Sequence, residues 1–414
     1  MHTWLPWIAA ASLICATADA ARRPRYGGVL RIAMRAVVDN PDPAVWPTSS
    51  IASAAKTQIT TQVFETLVRI DGKGRPQPWL ATQWNHDAAR RRWLFTAREG
   101  VRFHDGSLWQ PEDGVIAVPA DKPLAEILAA LVHPGSAIAQ RSADGALLGT
   151  GPFRIARWDA RSVTLAAHET HWQGGPFLDT IEVTMGLPLR EQTLALELGR
   201  ADVIEVPANE LRAQRQNGVR LSVTPPIETI ALLLHRDKAH LRERLSLAID
   251  RQSIHQVIVQ RQGDVTAALL PQWLSGYAFL FPPAFQPAPA TPPAPLTIDH
   301  DPQDTLLRAI ADRVALNAAQ AGMSMRRAAG QRADVRLIRL RSPRTGAIHA
   351  LRTFSQELGI AMPEASAFET EKSLMETAGI VPLLHLPVVL RLHERVRNWS
   401  ETGALENVWV EDKP

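Results

Sequence analysis

A chain of 414 residues with 45% hydrophobic, 21% charged and 6% aromatic content can fill more than one buried core, which excludes a disordered, collagen-like or coiled-coil protein. Forty-five Lys and Arg against 42 Asp and Glu leave a formal net charge of +3, with the two signs interleaved along most of the chain. The densest basic stretches, Arg22, Arg23, Arg25 and Arg90, Arg91, Arg92, are too short for the concentrated basic face that nucleic-acid binding needs, so no nucleic-acid partner is expected.

The apolar stretch from Trp4 to Ala18 ends in Ala18-Asp19-Ala20, with small residues where signal peptidase requires them. Residues 1–20 therefore read as a secretory signal peptide, although the segment before the apolar stretch carries His2 and no Lys or Arg. No later segment approaches the ~20 apolar residues of a spanning helix, so the expected mature protein is soluble, periplasmic and begins at Ala21. The only cysteine, Cys15, lies inside the signal. A mature chain without a thiol excludes disulfide scaffolds, thiolate metal sites and cysteine nucleophiles. A lipoprotein anchor at Cys15 is the alternative, with Ile14 and Ser12 where a lipobox has a small and an aliphatic residue.

After the signal, Gly27 to Met34 alternates as a strand with Leu30, Ile32 and Met34 on one face. The turn-rich Asp39-Asn40-Pro41-Asp42-Pro43 and Trp46 follow, then a helix expected through Thr57, Val63 and Leu67. Trp79, Trp84, Trp93, Phe95, Val101 and Phe103, broken by turn signals, predict a small antiparallel sheet. Strands are expected at Phe153 to Trp158, Val163 to Ala167, Ile181 to Met185 and Asp202 to Val206. A helix through Leu189, Leu194, Ala195 and Leu198 precedes the last of these and stops at Gly199. Leu241 to Gln260 reads as one helical block. Seven prolines between Pro282 and Pro295 make an extended connector. Leu296 to Ile298 is a strand, and Asp301-Pro302 predicts a helix start whose inner face carries Leu306, Leu307, Ile310, Val314 and Ala318.

Enzyme signatures are missing: there is no G-x-S-x-G, H-E-x-x-H, Walker or G-x-G-x-x-G pattern. His168-Glu169-Thr170-His171 spaces its histidines by three rather than four and sits at a strand end, which predicts no metal site there. His385 and His393 read as satisfied or exposed histidines. Tryptophan dominates the aromatics, and flat indoles suit both core packing and the walls of an organic-ligand site; Trp46 and Trp273 stand in loops.

Several stretches in order resemble the family 5 extracellular solute-binding proteins, the dipeptide, oligopeptide and nickel receptors of ABC importers. Gly27-Gly28-Val29-Leu30-Arg31-Ile32 with Asp42-Pro43 is similar to that family's opening strand and loop. Val63 to Val68 with Asp71-Gly72, and Pro78 to Trp84, resemble its next signature. Trp93-Leu94-Phe95 through Arg98 to Gly106 is the most specific piece. Gly149-Thr150-Gly151-Pro152-Phe153, Trp172 to Asp179, Leu198 to Val203, Leu247 to Arg251 and Ile380 to Leu383 continue the series. The chain departs from the pattern after Pro111-Glu112-Asp113, where a helical stretch is missing. It departs again at the proline-rich connector, and before Phe368, where peptide receptors present an aspartate to the ligand amine.

The resemblance implies an α/β fold of the periplasmic binding protein type II, with two lobes, a hinge of two crossing strands and a reduced inserted subdomain. Residues 21–50, 147–238 and 389–414 would form lobe I, 51–146 the shortened inserted subdomain and 239–388 lobe II. It implies a non-catalytic monomeric receptor that delivers a peptide-like or other small organic ligand to an ABC permease in the inner membrane, with no cofactor and no metal. The alternative is a degenerate member acting as a ligand sensor or interaction protein without transport. Ligand contacts are expected from Asp39, Asp42, Trp46, Glu228, Trp273 and Tyr277, with the Glu228 carboxylate meeting a cationic group.

Overall fold

The computed structural model describes residues 24–71, 75–286, 295–328, 332–344, 346–363, 365–400 and 403–411. The expected signal peptide with Cys15 and residues 287–294 of the proline-rich connector lie outside them. Eleven strands of the described residues form one mixed sheet. From edge to edge its main path runs through Met325–Arg327, Leu296–Asp299, Val335–Arg341, Arg220–Leu234, Ile380–Leu392, Val203–Val206, Val29–Ala33, Thr180–Thr184, Ser162–Ala167 and Phe153–Trp158. The first strand pairs in parallel with Thr180–Thr184 and touches Val203 through Ile32. A separate three-stranded antiparallel sheet, Ala81–Asp87, Arg92–Ala97 and Val115–Pro119, carries Trp84, Trp93 and Phe95.

Alternation along the strands distributes apolar side chains to both faces of the large sheet. Around the first strand, Leu30, Phe153, Leu165, Ile181 and Val203 pack on one side, while Ala33, Leu196, Ile204 and Leu211 pack on the other. Around the far half, Ile230, Leu232, Leu245, Ile310 and Val314 fill one face, and Ala231, Leu340, Leu351, Phe354 and Leu374 the other. The small sheet closes over its own core of Leu80, Phe95, Val101, Ile127 and Leu128. Each half-sheet is thus a covered three-layer unit. Among the described strands, only the long Arg220–Leu234 and Ile380–Leu392 run through both.

Three helix expectations change. The first helix spans Ser50–Thr60 and stops before Val63. The carbonyls of Gln62 and Val63 are taken by the amides of Phe153 and Gly151, so they cannot continue a helix. The Gly149-Thr150-Gly151 turn lies so close that a Cβ on Gly149 would come within 2.0 Å of the Val63 oxygen. The block from Leu241 to Gln260 breaks at Ile249, which is extended. Asp250 recaps the chain by accepting from the Ser253 amide at 3.0 Å, and the buried Arg251 guanidinium donates to the Ser246 and Pro382 carbonyls. The later helix begins at Thr305 rather than at Pro302. Asp301 closes a turn onto the Gln303 amide, and Asp304 is the cap, accepting from Leu306 and Leu307.

Candidate functional site

Where the two long strands cross, their pairing slips: Val223 faces Val389, Pro226 faces Pro387 and Glu228 faces Leu386. Proline removes ladder donors, so Pro225, Pro226 and Pro387 loosen the hydrogen bonding at the point where the half-sheets meet. Beside this crossing the structure concentrates charge. Arg35 follows the first strand, Glu205 lies in Val203–Val206, Glu228 in Arg220–Leu234, Arg339 and Arg341 in Val335–Arg341, and Asp304 caps the helix Thr305–Gln320.

These six groups pair with one another, and only the buried Arg339 Nε among them has no hydrogen-bond partner among the described residues. Arg35 donates to Glu205 at 3.0 Å and to Asp304 at 3.3 Å. Arg339 donates to Glu228 and, at 2.6 Å, to Asp304, while Arg341 donates to Glu228 at 2.6 Å and lies 3.6 Å from Glu205. The remaining Asp304 oxygen is spent on the helix cap. Three guanidinium groups balance three carboxylates. Burial opposes ionisation of Glu228, yet Arg339, Arg341 and Arg35 outweigh it and hold its pKa down at about 2. Glu205 and Asp304 are lowered in the same way, against burial, by the arginines beside them.

Two cavities meet at this cluster and share Glu205, Arg341 and Val388. One runs between the half-sheets, walled by Leu189, Pro207, Thr305, Pro387 and the ion pairs. The other is mostly apolar and lies under the helix Ser50–Thr60, bounded by Ile32, Met34, Ile59, Val203, Leu390 and Trp399.

The residues expected to contact ligand fall into separate neighbourhoods. Glu228 stands in the cluster, 3% exposed, and its cationic partners are Arg339 and Arg341 of the protein itself. Trp273 is 44% exposed and donates its indole N–H to the Pro226 carbonyl at 2.8 Å, two residues from Glu228. Tyr277 packs against Phe281 and Phe368 beside Glu371, whose carboxylate accepts from the Leu269 and Leu270 amides. Burial raises the Glu371 pKa to about 7. Asp39 is exposed. Asp42 holds Arg141 at 2.5 Å and turns the loop by accepting from the Ala44 amide. Trp46 stacks on His133, which in turn meets His349 with ring centres 4.4 Å apart. This stack joins the loop, the end of the helix Leu124–Val132 and the helix Ala347–Leu358. The buried Lys56 ammonium holds the same loop through the Asp42 and Val45 carbonyls. Ser50 links the neighbourhoods by accepting from the Arg341 amide at 2.9 Å.

His168 and His171 serve packing: His168 bonds the Gly151 carbonyl and Thr170, and His171 lies 3.3 Å from the buried Glu65. Among the described residues no group of three or more His, Cys, Asp or Glu is placed to hold a metal ion, and no helix is long and apolar enough to cross a membrane.

Residues 117–302 match the bacterial extracellular solute-binding proteins, family 5 Middle. The chain is similar to family 5 of the extracellular solute-binding proteins over this stretch, somewhat under half of its length. Among its relatives, the probable D,D-dipeptide-binding periplasmic protein DdpA of Escherichia coli is 21% identical over 48% of each chain. The nickel-binding protein NikA of Staphylococcus aureus is 29% identical over 35% of this chain and 32% of its own. The chain spans about half or less of the length of these curated relatives. In three dimensions, the Helicobacter pylori DppA complex with peptide STSA superposes with a TM-score of 0.73 at 16% identity, covering 94% of this chain and 99% of that one. The Staphylococcus aureus NikA complex with Ni(L-His)2 gives 0.71 at 15% identity over 92% and 100%. At these identities the likeness establishes the α/β fold.

The stretches that resemble family 5 meet in the structure. Glu65 of the Val63 to Val68 signature accepts from both Trp79 and Trp172 indoles and from Thr150 of the Gly149 to Phe153 turn, so three motifs share one buried carboxylate. Of the charges at the crossing, sequence reasoning singled out Glu228 and missed Arg35, Glu205, Asp304, Arg339 and Arg341. One signal was present: along Val335-Arg336-Leu337-Ile338-Arg339-Leu340-Arg341, Arg339 and Arg341 fall on the same alternating face as Val335 and Leu337. That places two cations where the strand otherwise buries apolar groups.

Proposed function

We propose that this chain is a non-catalytic, monomeric receptor of the periplasm that closes two lobes on a small organic or peptide-like solute and hands it to an ABC permease. The half-sheet built on Val29–Ala33 forms lobe I and the one built on Val335–Arg341 lobe II. The observation that carries this reading is the crossing itself: two separately packed half-sheets share two long strands, loosened by prolines, with ion pairs reaching across the gap. Such an arrangement bends at few residues and buries whatever lies between the units, which is hinge closure. Asp39, Asp42, Trp46, Glu228, Trp273 and Tyr277 remain the proposed ligand contacts, and the Trp46 to His349 stack supports the loop as one lip of the cleft. DdpA, DppA and NikA carry D,D-dipeptide, peptide and nickel in their names or complexes, which motivates the choice of trial solutes.

A thermal-shift screen of peptides, amino acids, sugars and nickel chelates tests the reading. At least one compound is expected to stabilise the fold by about 2.7 kcal/mol at one hundred times its dissociation constant. Trp46→Ala or Trp273→Ala is expected to weaken that compound. A hit that binds the doubly substituted protein with unchanged affinity removes the proposed contacts. A broad screen without any hit favours a degenerate member that has lost solute binding.

A further inference from the structure

We propose that the apolar cavity bounded by Ile32, Met34, Ile59, Val203, Leu390 and Trp399 is the seat of an uncharged, largely apolar organic solute, and that the ion cluster at its wall excludes solutes with a formal charge. The inference rests on the receptor reading but places a solute apart from Asp39, Asp42, Trp46, Glu228, Trp273 and Tyr277, none of which lines this cavity. Its first ground is the lining, in which aliphatic side chains from five strands and one helix face an indole.

The second ground is that the buried polar groups at the edge, Gln62, Glu205 and Arg341, are already committed. The Gln62 amide donates to the Gln58 and Gly403 carbonyls and accepts from the Leu405 amide. Glu205 and Arg341 are held by Arg35 and Glu228. Water in such a space finds few of the two to four partners that would hold it, whereas an apolar group gains contacts.

The third ground is the balance of charge. A carboxylate entering beside Arg341 must compete with Glu228 and Glu205, and an ammonium entering beside Glu205 must compete with Arg35 and Arg341. Either would break a pair and leave one charge buried without a partner, a cost a neutral solute avoids. Free peptides, with a charge at each end, are thereby disfavoured at this cavity.

The test uses three probes on one ring skeleton: benzyl alcohol, benzylamine and benzoate, titrated at pH 7 into the full chain with saturation-transfer NMR as the readout. Benzyl alcohol is expected to bind saturably, and the ammonium and carboxylate forms at least tenfold more weakly. Ile32→Phe, which places side chain into the cavity, is expected to weaken benzyl alcohol at least tenfold; Leu390→Phe serves if that variant does not fold. A charged probe that binds as tightly as the alcohol overturns the exclusion and leaves the receptor reading standing. Unchanged binding of the alcohol to a folded filled variant overturns the placement. No saturable binding of any probe overturns the cavity as a solute seat, while a stabilising solute from the thermal screen would still support a receptor.

Discussion

Glu228 shows how one side chain can be located by sequence and still surprise in its chemistry. Its place after Pro225-Pro226, at the head of an apolar strand, marked it as a carboxylate near the crossover. Its partners could not be read, because Arg339 and Arg341 lie 111 and 113 residues away in the chain. A buried carboxylate stripped of its charge leaves two guanidinium groups uncompensated, so Glu228→Gln is expected to cost about 3–5 kcal/mol at pH 7. The sign of the pH dependence follows from the folded pKa of about 2, which lies below the usual 4.5. The native state sheds this proton first, so the stabilisation is full above about pH 4.5 and is lost as the pH falls toward 2. Urea unfolding of both proteins at pH 7 and pH 3 should show the gap between them shrinking in acid. A gap below 1 kcal/mol at pH 7, or one that does not move with pH, contradicts the assignment.

Elements were legible where one physical signal governed them. Phe153–Trp158, Ser162–Ala167 and Val203–Val206 follow the predicted strands to within a residue or so, because alternation and flanking turns agree there. Helix ends were harder where two caps competed. Asp301-Pro302 has the local look of a helix start, but Asp304 wins because one of its oxygens meets the first free amides while the other meets Arg35 and Arg339. The cap and the charge can be separated by substitution. Asp304→Asn keeps an acceptor for the Leu306 and Leu307 amides and loses the ion pairs; Asp304→Ala loses both. Asp304→Ala is therefore expected to be the less stable by about 1 kcal/mol in chemical denaturation. Equal stabilities would place the helix start elsewhere.

At the scale of the whole molecule, motif order pointed to the family and the fold, since local stretches such as Gly149 to Phe153 keep their meaning wherever the chain goes. The crossing cluster stayed hidden for the opposite reason. Arg35 finds Glu205 and Asp304 at separations of 170 and 269 residues, and no local pattern encodes such meetings. The same long-range pairs give the proposed closure its physical content. Arg35 with Asp304, and Arg341 with Glu205, join the two half-sheets, and opening would exchange these pairs for water. The most direct test is the distance distribution between spin labels at Lys122→Cys and Lys372→Cys, exposed positions on the small-sheet domain and on the far half, in a chain with Cys15 replaced. It would be recorded with and without a compound that raises the melting temperature. Hinge closure predicts a longer, broader distribution for the free protein that collapses to one short distance when the compound is bound; an identical distribution in both states, with binding verified in the same sample, would contradict it.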